Sequence, residues 1–236
     1  MKEKILILVS FMLFSVCCLV SLRCAEQNII AVIGEESSSF SNEVIILDAG
    51  HGGEDGGAVA YDGTLEKDIN LEISETISLY FELFGINYIK IRDSDESIGD
   101  NSLDTVRKRK VSDIHRRYEI INSYENSVLL SIHQNMYSVE KYSGAQVFYS
   151  GQDEQALVLA EIIQSKITDA IQPENTRKIK KSDNSIYLLD KAIRPSVMVE
   201  CGFMSNPDEL SKLKSTEYQS QISYFITMSV IEFLII

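Results

Sequence analysis

A chain of 236 residues, 44% of them hydrophobic and 24% charged, is long enough for one well-buried core and short for two full domains plus a targeting segment. Its net charge of −13 argues against nucleic acid as a partner. Of the four cysteines, Cys17, Cys18 and Cys24 lie in or beside the N-terminal apolar run, which leaves Cys201 alone in the rest of the chain and excludes an intradomain disulfide framework.

The chain opens on Met1-Lys2-Glu3-Lys4 and then runs almost unbroken through apolar residues from Ile5 to Leu22, about the length that crosses a hydrocarbon core. That reads as an export segment. Small residues before a cleavage site are missing, since Leu22 and Arg23 precede Cys24, and the same arginine argues against lipid attachment at that cysteine. Residues 1–26 are therefore read as an uncleaved N-terminal membrane anchor, with a removed signal segment as the alternative. The remainder is expected to be extracytoplasmic, tethered to the membrane or, after cleavage, secreted. Gln27 to Asn42 is polar and small-residue rich around the Ile29 to Ile33 patch and reads as a tether.

From residue 43 onward, compact β-branched runs alternate with longer segments of helical period. That pattern predicts a single three-layer α/β domain over 43–236, with a central, mostly parallel twisted sheet flanked by helices. Strands are expected at Glu43 to Leu47, Tyr88 to Ile91, Ser127 to Ile132, Gly144 to Tyr149 and Ser196 to Val199. Leu65, Ile69, Ile73, Ile77, Phe81 and Phe84 recur every three or four residues, which predicts an amphipathic helix over 65–84 lying on the sheet and ended by Gly85. Further helices are expected near 106–123, 154–171 and from 217 to the C-terminus. Asn206-Pro207-Asp208-Glu209 has the proline and the acids of a helix start.

Three expected strands end in residues that can bind or activate, and ligand sites of α/β sheets gather at the carboxyl ends of strands. The first leads into Asp48-Ala49-Gly50-His51-Gly52-Gly53, where glycines allow a tight turn around an uncrowded imidazole. The third leads into His133-Gln134-Asn135, and the last into Glu200-Cys201-Gly202-Phe203. Glu66 opens the first long helix just after the His51 loop. Two histidines and a carboxylate make a hydrolytic set for one Zn2+, with a fourth position left for water. Such an ion activates water and polarises a carbonyl, and a second carboxylate, Glu200, stands where it can carry the proton to a leaving amine.

Taken singly, each residue has an ordinary explanation. His51 can be a loop histidine, His133 a satisfied core histidine, and Glu66 a charge at a helix N-terminus. Glu200 has the least ordinary one, because a carboxylate closing a Val-Met-Val run needs a partner, a metal or a cleft. His115 sits among Asp113, Arg116 and Arg117 and reads as solvated, while strand alternation points Cys201 away from the face of Glu200. Basic residues at 107–110 with Arg116 and Arg117, and again at 177–181, read as a solvated helix face and a mobile loop. The functional alternative for them is contact with carboxylates of a substrate or a partner.

The strings Ile46-Leu47-Asp48-Ala49-Gly50-His51-Gly52-Gly53, Glu66-Lys67-Asp68-Ile69-Asn70-Leu71, Ser131-Ile132-His133-Gln134-Asn135 and Val199-Glu200-Cys201-Gly202-Phe203-Met204-Ser205-Asn206, in that order, closely resemble the zinc-dependent N-acetylmuramoyl-L-alanine amidases of the Amidase_3 type. The resemblance runs from about Val44 to the C-terminus, and Arg92 with Asp95, Arg117, Asn122 and Pro195 fit it further, although Ile91 stands where the family has threonine. It implies His51, Glu66 and His133 as zinc ligands and Glu200 as catalytic acid/base. It also implies peptidoglycan glycan strands and stem peptides as substrate, cut between N-acetylmuramic acid and L-alanine.

A single domain behind an anchor is most similar to the sporulation-specific CwlD type, which implies spore cortex maturation through muramic-δ-lactam formation, germination, attachment to the cytoplasmic or forespore membrane, and an accessory protein partner. The alternatives are a vegetative autolysin of the same family, a zinc hydrolase of another amide, and a catalytically silent wall-binding scaffold. Presence of both histidines and both glutamates argues against the last.

Overall fold

The computed structural model describes residues 43–236; the anchor expected over 1–26 and the tether expected over 27–42 lie outside the described residues. Among the described residues no helix is long and apolar enough to cross a membrane. In chain order the elements are β1 (Val44–Ala49), α1 (Glu66–Phe84), β2 (Tyr88–Lys90), α2 (Val106–Asn122), β3 (Ser127–Asn135), β4 (Gln146–Tyr149), α3 (Glu154–Ile171), β5 (Lys180–Lys181), α4 (Tyr187–Lys191), β6 (Ser196–Phe203), α5 (Pro207–Leu213) and α6 (Thr216–Ile235). The strands form a six-stranded sheet in the order β2-β1-β3-β6-β4-β5. The pairs β2-β1, β1-β3, β3-β6 and β4-β5 are parallel; β4 runs antiparallel to β6.

The central strands read as near-continuous apolar runs because both faces of the sheet are covered. On one face Ile46, Leu129 and Met198 pack with Ile121 of α2 and with Leu188 and Leu189 of α4. The residues between them, such as Ile45, Leu47, Leu130, Val197 and Val199, point to the other face, where α1, α3 and α6 pack. There the predicted stripe of α1 is realised: Ile69, Ile73, Ile77 and Phe81 are buried. Full burial of each such side chain contributes roughly 1.5–3 kcal/mol. Gly85 ends α1 in the left-handed conformation, φ 69°, as a glycine without a Cβ allows. Asn206 caps α5 by accepting from the amides of Asp208 and Glu209, with Pro207 in the first turn.

Several expectations need correction. β1, β3 and β6 run beyond Leu47, Ile132 and Val199, because β3 and β6 keep pairing through His133 and Glu200, with an irregularity between His133 and Asn135. Those two residues therefore stand on the sheet and not in the loops after it. β4 begins at Gln146, later than expected, since Gly144 takes a turn conformation with φ 91°. β5 and α4 were not foreseen, since two exposed lysines and five helical residues are too short to show a period.

Candidate metal centre

β1 delivers its last residues into a turn in which His51 adopts φ 63°, a conformation that costs a non-glycine residue of order 1–3 kcal/mol. Two buried arginines hold that turn by its carbonyls. Arg92 donates from Nε to Ala49 O (2.8 Å) and from Nη2 to Gly50 O (3.0 Å) and Lys67 O (2.8 Å). Arg117, from α2, donates from Nη1 to Ala49 O (3.0 Å) and from Nη2 to His51 O (2.6 Å). Its charge is met by Asp48 and by Asp113, the latter at 2.6 Å. Burial alone would raise the Asp48 carboxyl, but the Arg117 guanidinium and the Ser131 hydroxyl (2.7 Å) hold it below the ordinary carboxylate range. The rest of the loop is pinned by Lys67, which reaches Gly53 O at 2.7 Å and Asp95 at 2.6 Å, while Asp95 accepts from Gly53 N at 2.8 Å.

The structure brings His51, Glu66 and His133 together, with one potential ligand atom from each lying within 4.8 Å of the others. Glu66 stands in the first turn of α1, its carboxylate between the two imidazoles: Oε2 is 3.2 Å from His51 Nε2 and Oε1 is 2.9 Å from His133 Nδ1. The second-layer contacts leave Glu66 little freedom. Its Oε2 accepts from Ala58 N (2.9 Å), and its Oε1 accepts from Gln134 N (3.1 Å) and Asn70 Nδ2 (3.3 Å). Glycines make room for the set. A Cβ at Gly50 would stand 2.2 Å from His133 Nε2, and one at Gly57 would stand 2.6 Å from both Glu66 Oε2 and His51 Cδ2. Two imidazoles and one carboxylate in a closed triangle, opening on a cleft, suit a hydrolytic divalent metal.

Glu200 lies on β6 directly beside His133 of β3 in the sheet register, so both side chains rise from the same face. Its Oε2 is enclosed and has no hydrogen-bond partner among the described residues, a state a carboxylate tolerates by taking up a proton. Burial is the main cause that pushes Glu200 up from 4.5 to about 7; His133 opposes it and the charge of Glu66 adds to it. A carboxyl beside the triad can take a proton and return it. Cys201, one residue on, is fully buried on the opposite face and its thiol is pushed further up by burial, in line with alternation. His115 is exposed, on α2, with its ring 5.5 Å from Tyr187.

His51 and His133 line a cleft of about 250 Å3 whose other walls include Asp113, Ile114 and Arg117 of α2, the 185–188 segment and Met198. A wider groove of about 950 Å3 lies along α2 and the 98–105 segment, and none of His51, Glu66 and His133 lines it.

Most of the basic residues are exposed as expected, but several are tied to partners and Arg117 is buried. Arg109 binds Glu54 through two nitrogens (2.5 and 2.8 Å), Lys110 binds Asp55 (2.6 Å), and Arg117 is 3% exposed. Arg177 sits 4.4 Å from the ring centre of Phe203 and donates to Ser143 O at 2.8 Å. Long-range partners with no sequence period decide these contacts. Reading the sequence also missed Asp55 and Asn70, each four residues after a member of the triad. That spacing is the only local signal they carry.

Comparison with known proteins places the chain in a family. The profile of the Amidase_3 family, described as N-acetylmuramoyl-L-alanine amidase, matches residues 45–232. The germination-specific N-acetylmuramoyl-L-alanine amidase of Bacillus subtilis (strain 168) is 34% identical over 197 residues, 84% of this chain and 82% of that protein. The CwlD amidase from Clostridioides difficile, solved in complex with the GerS lipoprotein, is 37% identical with a TM-score of 0.78, covering 82% of this chain and 98% of that one. The N-acetylmuramoyl-L-alanine amidase AmiC2 of Nostoc punctiforme is 28% identical with a TM-score of 0.68, covering 83% and 98%.

Proposed function

The chain belongs to the Amidase_3 family of N-acetylmuramoyl-L-alanine amidases and is a hydrolase of the amide between N-acetylmuramic acid and L-alanine in peptidoglycan; we propose that it works at one zinc ion held by His51, Glu66 and His133, with Glu200 as the acid/base. The observation that carries this reading is the closed His51–Glu66–His133 triangle with the Glu200 carboxyl beside it in the sheet register. When bound, zinc supplies Lewis acidity that polarises the scissile carbonyl and acidifies water from about 16 to near 7. Glu200, with its unpartnered Oε2, takes the proton from the attacking water and returns it to the departing alanine nitrogen. Glu66 neutralises charge between the imidazoles, and Asn70 and the Gln134 amide keep its carboxylate in place. The Arg92 and Arg117 contacts keep the His51 turn from relaxing out of its left-handed conformation.

Similarity to a germination-specific relative and to a CwlD amidase supports a role in spore cortex maturation and germination, ahead of a vegetative autolysin. The solved complex of that CwlD amidase with a lipoprotein supports an accessory protein partner. Extracytoplasmic action follows from the wall substrate, and the apolar run over 5–22 supports attachment to the cytoplasmic or forespore membrane.

Digestion of purified peptidoglycan by the full chain, with zinc and with a chelator, tests the reading. Mass analysis is expected to find free L-alanyl stem peptides and unsubstituted muramic acid with zinc alone. Release that persists at full rate in chelator would overturn the metal assignment. A folded, zinc-loaded protein that releases no peptide would overturn the substrate assignment.

A further inference from the structure

Asp55 is placed more tightly than a surface loop residue needs to be. Its Oδ2 lies 3.0 Å from His51 Nδ1, while its Oδ1 accepts from Lys110 Nζ at 2.6 Å and from Gly57 N at 3.2 Å. The backbone closes on itself there, with Gly52 N donating to Asp55 O (3.0 Å) and Asp55 N donating to Gly52 O (3.1 Å). Three donors thus meet the two oxygens of one carboxylate, and a two-way backbone bridge holds that carboxylate against the imidazole edge that faces away from Glu66. The opposite ring nitrogen, His51 Nε2, faces Glu66 Oε2 at 3.2 Å.

A neutral imidazole carries one proton, and a carboxylate at Nδ1 keeps it there, leaving the Nε2 lone pair for a metal and making it more basic. We propose that Asp55 is a positioning residue for zinc binding, which fixes the tautomer and ring orientation of His51, and that Lys110 of α2 holds Asp55 to that task. This rests on the reading that His51, Glu66 and His133 bind the ion. It also gives the basic run at the start of α2 a purpose: Lys110 steadies the outer layer of the metal centre. The neighbouring pair, Arg109 with Glu54, ties the same loop to α2 without touching an imidazole.

The test uses the full-length chain and measures the zinc dissociation constant by competition with a chromogenic chelator, alongside the melting temperature of the metal-free protein. Asp55→Ala is expected to weaken zinc binding about 10–100-fold, with the metal-free protein still unfolding in one cooperative transition. Asp55→Asn, nearly isosteric but uncharged, is expected to lose about tenfold and decides the matter if the alanine variant does not fold. Lys110→Gln should move in the same direction by less, and Glu54→Gln should bind zinc as the wild type does. Wild-type affinity in Asp55→Asn overturns the proposal, as does a loss in Glu54→Gln equal to that in Asp55→Ala, which would assign the effect to loop seating. His51→Ala separates this from the reading beneath it, because undiminished zinc binding in that variant would mean that the metal centre itself is misassigned.

Discussion

Replacing Glu200 by glutamine should abolish turnover and, above neutral pH, make the metal-free protein more stable. Burial and the nearby Glu66 charge raise Glu200 from 4.5 to about 7 against the opposing effect of His133. Each tenfold change in proton affinity is worth about 1.4 kcal/mol, so that rise corresponds to about 3 kcal/mol. The folded-state value lies above the unfolded one, so the stability this group contributes is fully present below pH 4.5 and is lost as the pH rises through about 7. Glutamine has no charge to desolvate, yet it buries an amide where Oε2 lacks a partner, at a cost of about 1–3 kcal/mol.

The net expectation is a gain of about 1–2 kcal/mol at about pH 8 and a small loss at about pH 5, read as a melting difference of roughly 2–8 °C that changes sign between the two. Thermal unfolding of both proteins in chelator gives the comparison. A glutamine effect that is the same at both pH values would refute the buried, proton-holding carboxyl. In separate zinc-loaded protein, zinc stoichiometry should be unchanged while the peptidoglycan rate falls about 10²–10⁴-fold; a near-normal rate would exclude Glu200 as the acid/base.

His133→Ala should lose both stoichiometric zinc, measured by elemental analysis, and activity, and retained zinc would remove it from the ligand set. Gly50→Ala should displace the His133 ring, whose Nε2 would stand 2.2 Å from the new methyl; zinc affinity falls while far-ultraviolet circular dichroism stays the same, and unaltered affinity would contradict the packing. Asp48→Ala leaves the Arg117 guanidinium buried with only Asp113 as its carboxylate partner, so unfolding free energy in denaturant should drop by about 3 kcal/mol. Cys201 is 0% exposed and its thiol is held protonated by burial, so thiol reagents should leave folded protein and activity untouched; inhibition blocked by Cys201→Ala would show otherwise.

Much of this molecule is legible without coordinates. The stripe from Ile69 to Phe81, the Gly85 stop and the Asn206-Pro207 start all appear where their spacing and chemistry put them, because helix burial and capping depend on side chains a few residues apart. That these four residues come together was legible too, since strand ends carrying His51, His133 and Glu200, with Glu66 at the head of the next helix, leave few other places for a candidate site. Alternation alone sent Cys201 to the far face.

Other features depend on partners far along the chain. Nothing local shows that Arg117 is buried against Asp48, 69 positions away, or that Lys110 reaches Asp55 across 55 positions. The same holds for β3 and β6 continuing through the site residues, and for β4 turning antiparallel. A charged side chain is hydrated in the unfolded chain, and whether it ends solvated or buried is settled by whether the fold brings a complementary group within hydrogen-bond reach. Hydrophobic period and capping chemistry are written in neighbouring residues, so the sequence by itself determined the layers and where the candidate site residues would gather. Desolvation and long-range pairing exist only once those layers have packed, so the tertiary structure alone decided which charges hold the metal loop in its strained turn and which carboxyl is left without a partner.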